Sequence, residues 1–319
     1  MQSAPAGRIR WYGAGWMLYI LPALLVYIVF MVFPVVNSMR LSFYTGSGYQ
    51  LTNYVGFDNF VKLFNGSEAS IRFLNAFKNT WIFFAIHMLV QNSLGLLFAL
   101  LLSGRVFRGR GIFRTIIFIP ATLSPLVTGY VWQLILNPNW GALNKLLTGI
   151  GLGSLALPWL GNTNTALPVV SLVSSWQWVG LPTMMFLAGL DRISAELFEA
   201  AEIDGATHWQ LVARIKLPLI LPIVGIVSIL TFVGNFNAFD GIYALEGADG
   251  QPLYSTDVMG TFFYRTGIAG QHPAGIPDMG LGAAVATLTF IVLIAGILVA
   301  RRLTQARDES LSGGRIVRP

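Results

Sequence analysis

Charged residues are spread so unevenly that six stretches of the chain carry none: Arg10 to Arg40, Lys78 to Arg105, Arg114 to Lys145, Lys145 to Asp191, Lys216 to Asp240 and Asp278 to Arg301. Each is long and apolar enough for the roughly 20-residue helix that crosses about 30 Å of hydrocarbon. The pattern predicts six transmembrane helices near residues 16–36, 80–102, 115–136, 166–189, 218–238 and 280–300. The fold class is therefore all-α integral membrane, with one domain over 16–302 between tails at 1–15 and 303–319.

Composition excludes the alternative of two soluble domains. Of 319 residues 55% are hydrophobic and 11% charged, against about 25% charged in soluble proteins. Arg8 and Arg10 precede an apolar run too long for a cleaved signal core, which predicts an uncleaved anchor. If the N-terminus is cytoplasmic, the inner segments hold 14 of the 20 Lys and Arg and the outer ones 6, so both termini are expected inside. The net charge of +6 belongs to the flanks of the spans, and no nucleic-acid partner is expected. Absence of cysteine removes disulfides, thiolate metal sites and cysteine nucleophiles.

The outer connections mix aromatics with turn residues. Phe60, Val61 and Phe64 suggest a short interfacial helix, while 137–165 and 239–279, rich in Gly, Pro and Asn, read as ordered loops or re-entrant pieces. Pro120 and Pro125 predict a kink in the third span. The inner connection over 190–217 is different. Ser194 is a plausible N-cap for a helix that Gly205 breaks, and a second short helix from Ala206 to Lys216, ending at Pro218, leads straight into the fifth span.

This loop carries a recognisable pattern: Glu199, Ala200 and Ala201, then Asp204 and Gly205, then Ile215, Leu217 and Pro218. It resembles the signature loop of membrane subunits of bacterial ABC importers, in the carbohydrate branch and its larger-type maltose and multiple-sugar permeases. Gly56 to Phe60, Gly141 to Leu147 and Asn235 to Asp240 share the resemblance. It implies a type I permease fold in a bacterial inner membrane, with the loop as coupling helix against a cytoplasmic ATPase. It also implies a second permease subunit, an ATPase dimer holding ATP and magnesium, an extracytoplasmic solute-binding protein and a carbohydrate substrate. The chain itself has no Gly-x-x-x-x-Gly-Lys phosphate loop, so nucleotide is expected on the partner and no cofactor here.

Polar residues inside spans are costly unless they face protein or a wet path. Ser171, Ser174, Ser175 and Trp178 share one face of the fourth span, where helix packing and solute contact are both open readings. Ser124 and Thr128 are candidates on the third span. On the fifth, Thr231 and Asn235 share a face, whereas Asn235 and Asn237 lie about 200° apart and meet one solute only if the helix unwinds there. The resemblance gives the position of Asn235 a sugar contact, and places Gly180 and Thr183 in a sugar-contacting turn; Ala238 and Thr183 depart from the family's asparagine and aromatic. His87, with Gln91 one turn on, reads as a satisfied buried histidine. Three scattered histidines, the others being His208 and His272, and no clustered carboxylates indicate neither a metal site nor a catalytic acid/base pair. The rival class is an ion- or proton-coupled secondary transporter, against which stands the absence of charged relays within the spans.

Overall fold

The structure, a computed structural model, describes residues 15–47, 50–104, 109–270 and 277–312. Arg8, Arg10, Arg105, Arg108 and His272 lie outside the described residues, as do most of the N-terminal tail and the last seven residues. The chain is mostly helical. The helix α1 (Tyr19–Leu41) leads to a hairpin of β1 (Tyr44–Ser47) and β2 (Gln50–Tyr54), then α2 (Asp58–Lys62) and α3 (Glu68–Leu102). There follow α4 (Arg110–Thr122), α5 (Pro125–Ile135), α6 (Ala142–Gly149), α7 (Ala166–Trp178), α8 (Gly180–Leu190) and α9 (Ala195–Ile203). The chain continues through α10 (His208–Phe236), α11 (Asp240–Glu246), α12 (Met259–Tyr264) and α13 (Met279–Ser312).

By length and composition four helices can cross a membrane, or five if α4 and α5 form one broken span. The predicted third span is not merely kinked: α4 and α5 meet at 97°. Ser124, the residue before Pro125, is extended (φ −61°, ψ 134°) because the proline ring crowds a preceding helical residue, and Leu123 is extended too. The predicted fourth span is divided at Val179 into α7 and α8. Pro182 has no amide hydrogen to give the Trp178 carbonyl, and its ring disfavours that turn. Gly180 lets the break lie against α4: a Cβ there would stand 2.7 Å from the Ile117 carbonyl oxygen.

The hairpin was not expected in a segment read as loop. Edge-on packing of Tyr44 against Tyr54, with centroids 5.4 Å apart, and two bonds from Asn59 Nδ2 to the Ser42 and Tyr44 carbonyls, each 2.9 Å, hold it. The expected interfacial helix is the five-residue α2, which takes in Phe60 and Val61 but ends before Phe64. Packing of α3, α8 and α10 at the end nearer α9 buries Ala99, Leu102, Phe186, Leu190, Ile220 and Val227. By contrast α1 is exposed along Tyr19 to Val36, so its apolar surface requires lipid or another subunit.

Candidate functional site

Midway along these helices a cavity of about 350 Å³ opens between α3, α5, α7, α8, α10 and α11. Its volume is in the range of small-ligand pockets. Of the residues expected along a pathway, Thr128, Ser174, Trp178, Thr231, Asn235 and Asn237 line it. The helical ladder of α10 ends at Phe236, and Asn237 caps it with φ −101° and ψ 6°. That local unwinding lets Asn235 and Asn237 share a cavity which a continued helix would have denied them. Ser171 instead donates to its own Leu167 carbonyl at 2.7 Å, and Ser175 is buried away from the walls, so the hydroxyl face is divided.

Gly180 and Thr183 are not among the walls. Thr183 is fully buried and donates to the Val179 carbonyl at 2.7 Å, while Gly180 serves the close approach to α4. Their neighbours Leu181 and Pro182 reach the cavity in their place. Ser124 is exposed at the N-cap of α5 and also outside the walls.

The residues that pattern reading missed are Gln177, which donates to the Leu123 carbonyl at 3.1 Å, and Asp240, the first residue of α11. Asn92, from α3, exchanges hydrogen bonds with Thr231 at 3.1 and 3.2 Å and ties that helix to α10 beside the cavity. His87 is satisfied as expected, its Nδ1 2.8 Å from the Phe83 carbonyl, but it is also a wall residue whose Nε2 lies 3.0 Å from Ser174 Oγ. Thr128 Oγ1 and Asn235 Oδ1 are buried with no partner among the described residues. Leaving such atoms unpaired costs about 1–3 kcal/mol each, which a bound polar solute would offset.

One end of this cavity is covered by α11, packed on α5. Its Glu246 is 8% exposed, and Oε1 has no partner among the described residues. Burial pushes this carboxyl up from 4.5 to about 8. The folded chain thus keeps a proton that the unfolded chain has lost between pH 4.5 and 8, so stability falls as pH rises through that window and is level above it. The melting temperature of the purified protein should drop between pH 6 and pH 9, and Glu246→Gln should remove most of the drop. A wild-type melting curve insensitive to pH would show the carboxyl to be solvated.

The loop over 190–217 forms a helix, a glycine elbow and a second helix. The helix α9 has no buried residue; Ile203 is 86% and the following Trp209 74% exposed, an apolar surface left uncovered by the described residues. Ser194 does stand at its N-cap, though without a side-chain bond. Gly205 adopts φ +79°, and the Ala206 amide returns to the Ala201 carbonyl at 2.9 Å, closing the helix end in the left-handed manner that glycine favours. Thr207 and Gln210 then form a capping box that starts the next helix. Contrary to expectation that helix does not stop near Pro218: α10 runs unbroken from His208 through Ile215, Leu217 and Pro218 to Phe236, proline being tolerated where α-helical bonding resumes after a π-helical turn at Val212–Lys216. Lys216 lies 5.4 Å from the Phe198 ring centroid and 3.4 Å from Ser103 Oγ, joining α9, α10 and the end of α3.

Residues 91–308 match the family model described as binding-protein-dependent transport system inner membrane component. The chain is 32% identical over 294 residues to the probable ABC transporter permease protein YurN of Bacillus subtilis, covering 92% of this chain and 96% of that one. It is 28% identical over 300 residues to the lactose transport system permease protein LacF of Rhizobium radiobacter, covering 94% and 96%. Among solved structures, a chain of a bacterial ABC transporter involved in import of the acidic polysaccharide alginate superposes with a TM-score of 0.77 at 27% identity, over 91% of this chain and 96% of that one.

Proposed function

The chain belongs to the family of binding-protein-dependent transport system inner membrane components, and from that membership we propose that it is one of two membrane subunits of an ATP-driven oligosaccharide importer in a bacterial inner membrane. Its partners are a second permease, an ATPase dimer that carries ATP and magnesium, and an extracytoplasmic solute-binding protein. The exposed face of α1 is where lipid or the second permease covers the chain. Six crossings with both termini cytoplasmic complete the reading, α4 with α5 making the third and α7 with α8 the fourth.

One observation carries the mechanism. The single helix α10 begins in the loop at His208 and ends at the cavity with Thr231 and Asn235. A helix of 29 residues at 1.5 Å per residue spans about 43 Å, and transmits displacement of one end to the other. Closure of the ATPases around ATP moves α9; the elbow at Gly205 and the Lys216 contacts pass that motion to α10. The two walls of the cavity that α10 and α3 supply, bonded through Asn92 and Thr231, then shift together. Solute delivered from outside enters when the outer end opens and leaves when the ATPases separate.

Co-expression with its neighbouring genes should yield a complex in which an ATPase co-purifies and saccharide uptake requires ATP hydrolysis. Uptake driven by an ion gradient without any ATPase would favour the secondary-transporter reading instead. Asn235→Ala should raise the KM for uptake about tenfold, the loss of one polar contact of roughly 1–2 kcal/mol, while the ATPase still assembles. Unchanged uptake kinetics would remove Asn235 from the path.

A further inference from the structure

The chemistry of the cavity walls restricts the charge of what passes them. No described lining residue is Lys or Arg, and the one carboxylate, Asp240, is negative. Three lining amides each give one N–H to the protein and keep the other. Gln177 gives an N–H to the Leu123 carbonyl at 3.1 Å, Asn235 to Thr231 at 2.6 Å, and Asn237 to Val233 at 2.9 Å. In each case the amide oxygen is left with both lone pairs.

His87 fixes the donor role of Ser174. The Phe83 carbonyl only accepts, so Nδ1 carries the ring proton, and the neutral ring accepts at Nε2 from Ser174 Oγ, 3.0 Å away. Ser174 thereby gives its proton to His87 and keeps its lone pairs as acceptors, and His87 acts as a positioning residue. With the Gln91 amide and the Thr128 hydroxyl, the walls present neutral donors and acceptors, one carboxylate and no cation among the described lining residues.

Resting on the oligosaccharide-importer reading, we infer that the solute carried past this subunit is a hydroxyl-rich saccharide without carboxylate or phosphate groups. Sugar hydroxyls donate to the amide oxygens and to Ser174, and the Trp178 ring supplies an apolar surface for the C–H face of a pyranose. A uronate or a sugar phosphate only accepts at its anionic oxygens. It would meet neutral groups and Asp240, with no cation among the described lining residues to replace lost hydration.

Two measurements test this. Cells expressing the complete importer are offered an equimolar mixture of maltotriose, lactose, chitobiose, triguluronate and glycerol 3-phosphate, and uptake is followed by mass spectrometry. Accumulation confined to the first three, at least tenfold above the anions, is expected; preferential uptake of either anion would overturn the inference while leaving the importer reading intact. Uptake of none of the five would defeat the carbohydrate reading, and the inference with it. The second measurement separates this subunit from the receptor. Saturation-transfer NMR compares maltotriose with triguluronate on the permease and ATPase complex in nanodiscs without binding protein. Gly234 lines the cavity, and a Cβ there meets nothing within 4 Å, so Gly234→Lys puts an ammonium group into the space. Triguluronate should give at most a tenth of the maltotriose signal on the wild type, and at least tenfold more on Gly234→Lys but not on Gly234→Gln. Equal wild-type signals, or no gain with lysine, would overturn the inference.

Discussion

Gly205→Val should abolish saccharide uptake, by 100-fold or more, while the permease still inserts and its ATPase still hydrolyses ATP. The reason is conformational. A Cβ at Gly205 would meet nothing within 4 Å, so no clash is introduced, but the residue holds φ at +79°. Left-handed backbone costs an ordinary L-residue about 1–2 kcal/mol, and a β-branched one tolerates it worst. Valine relieves that strain by leaving the region, which breaks the bond from the Ala206 amide to the Ala201 carbonyl and swings α9 relative to α10. An ATPase gripping α9 would then move a helix no longer aimed along the lever. Gly205→Asn is the control, since asparagine tolerates the left-handed region; it should retain most uptake. Hydrolysis and uptake are measured on the same reconstituted vesicles, and transport by Gly205→Val at the wild-type rate would falsify the lever.

That elbow was legible in the sequence because its cause is local: glycine after an apolar and acidic helix leaves few other ways to turn the chain. The charge-free runs were legible for a comparable reason, since hydrocarbon thickness sets helix length directly. The 97° break between α4 and α5 was readable only as a proline kink, because the angle depends on what α5 packs against, and that is α11 from a distant loop. The cavity shows the same division. Unwinding after Asn235 could be posed from helical geometry as a condition, and the helix does end at Phe236. Gln177 and Asp240 belong to the walls only through the convergence of α7 and α11, which no periodicity encodes. Gly180 resembled part of a sugar-contacting turn, yet its nearest atoms belong to the backbone of α4. A glycine pattern does not reveal whether the small residue admits a ligand or a neighbouring helix.

The loop between α11 and α12 was read only as ordered, and its order has a specific source on which the second large effect depends. Asp257, with a fully buried side chain, takes two bonds from the Arg265 guanidinium at 2.5 and 3.1 Å; the arginine side chain is 3% exposed and also donates to the Ala248 carbonyl. Burial pushes the Asp257 carboxyl upward, and the Arg265 and Thr261 bonds act against it. The pair fixes a strand of backbone that Asn79 of α3 holds through the Ser255 and Asp257 carbonyls, each at 3.0 Å, and it positions Tyr254, left-handed at φ 61°, near both Arg72 and Arg265. Asp257→Ala should therefore destabilise the protein by about 3–5 kcal/mol, because the guanidinium is left buried without its counter-ion. Replacing both members, Asp257→Leu with Arg265→Met, should recover most of that loss, since a buried pair is worth little more than well-packed apolar groups of like size. Thermal unfolding of the purified complex for the two singles and the double gives the coupling. Additive losses would mean that the charges are solvated and that the loop is held by Asn79 alone. Because this loop follows α11 directly, a loosened Asp257→Ala variant should also leak solute at the outer end of the cavity, which the compensated double should not.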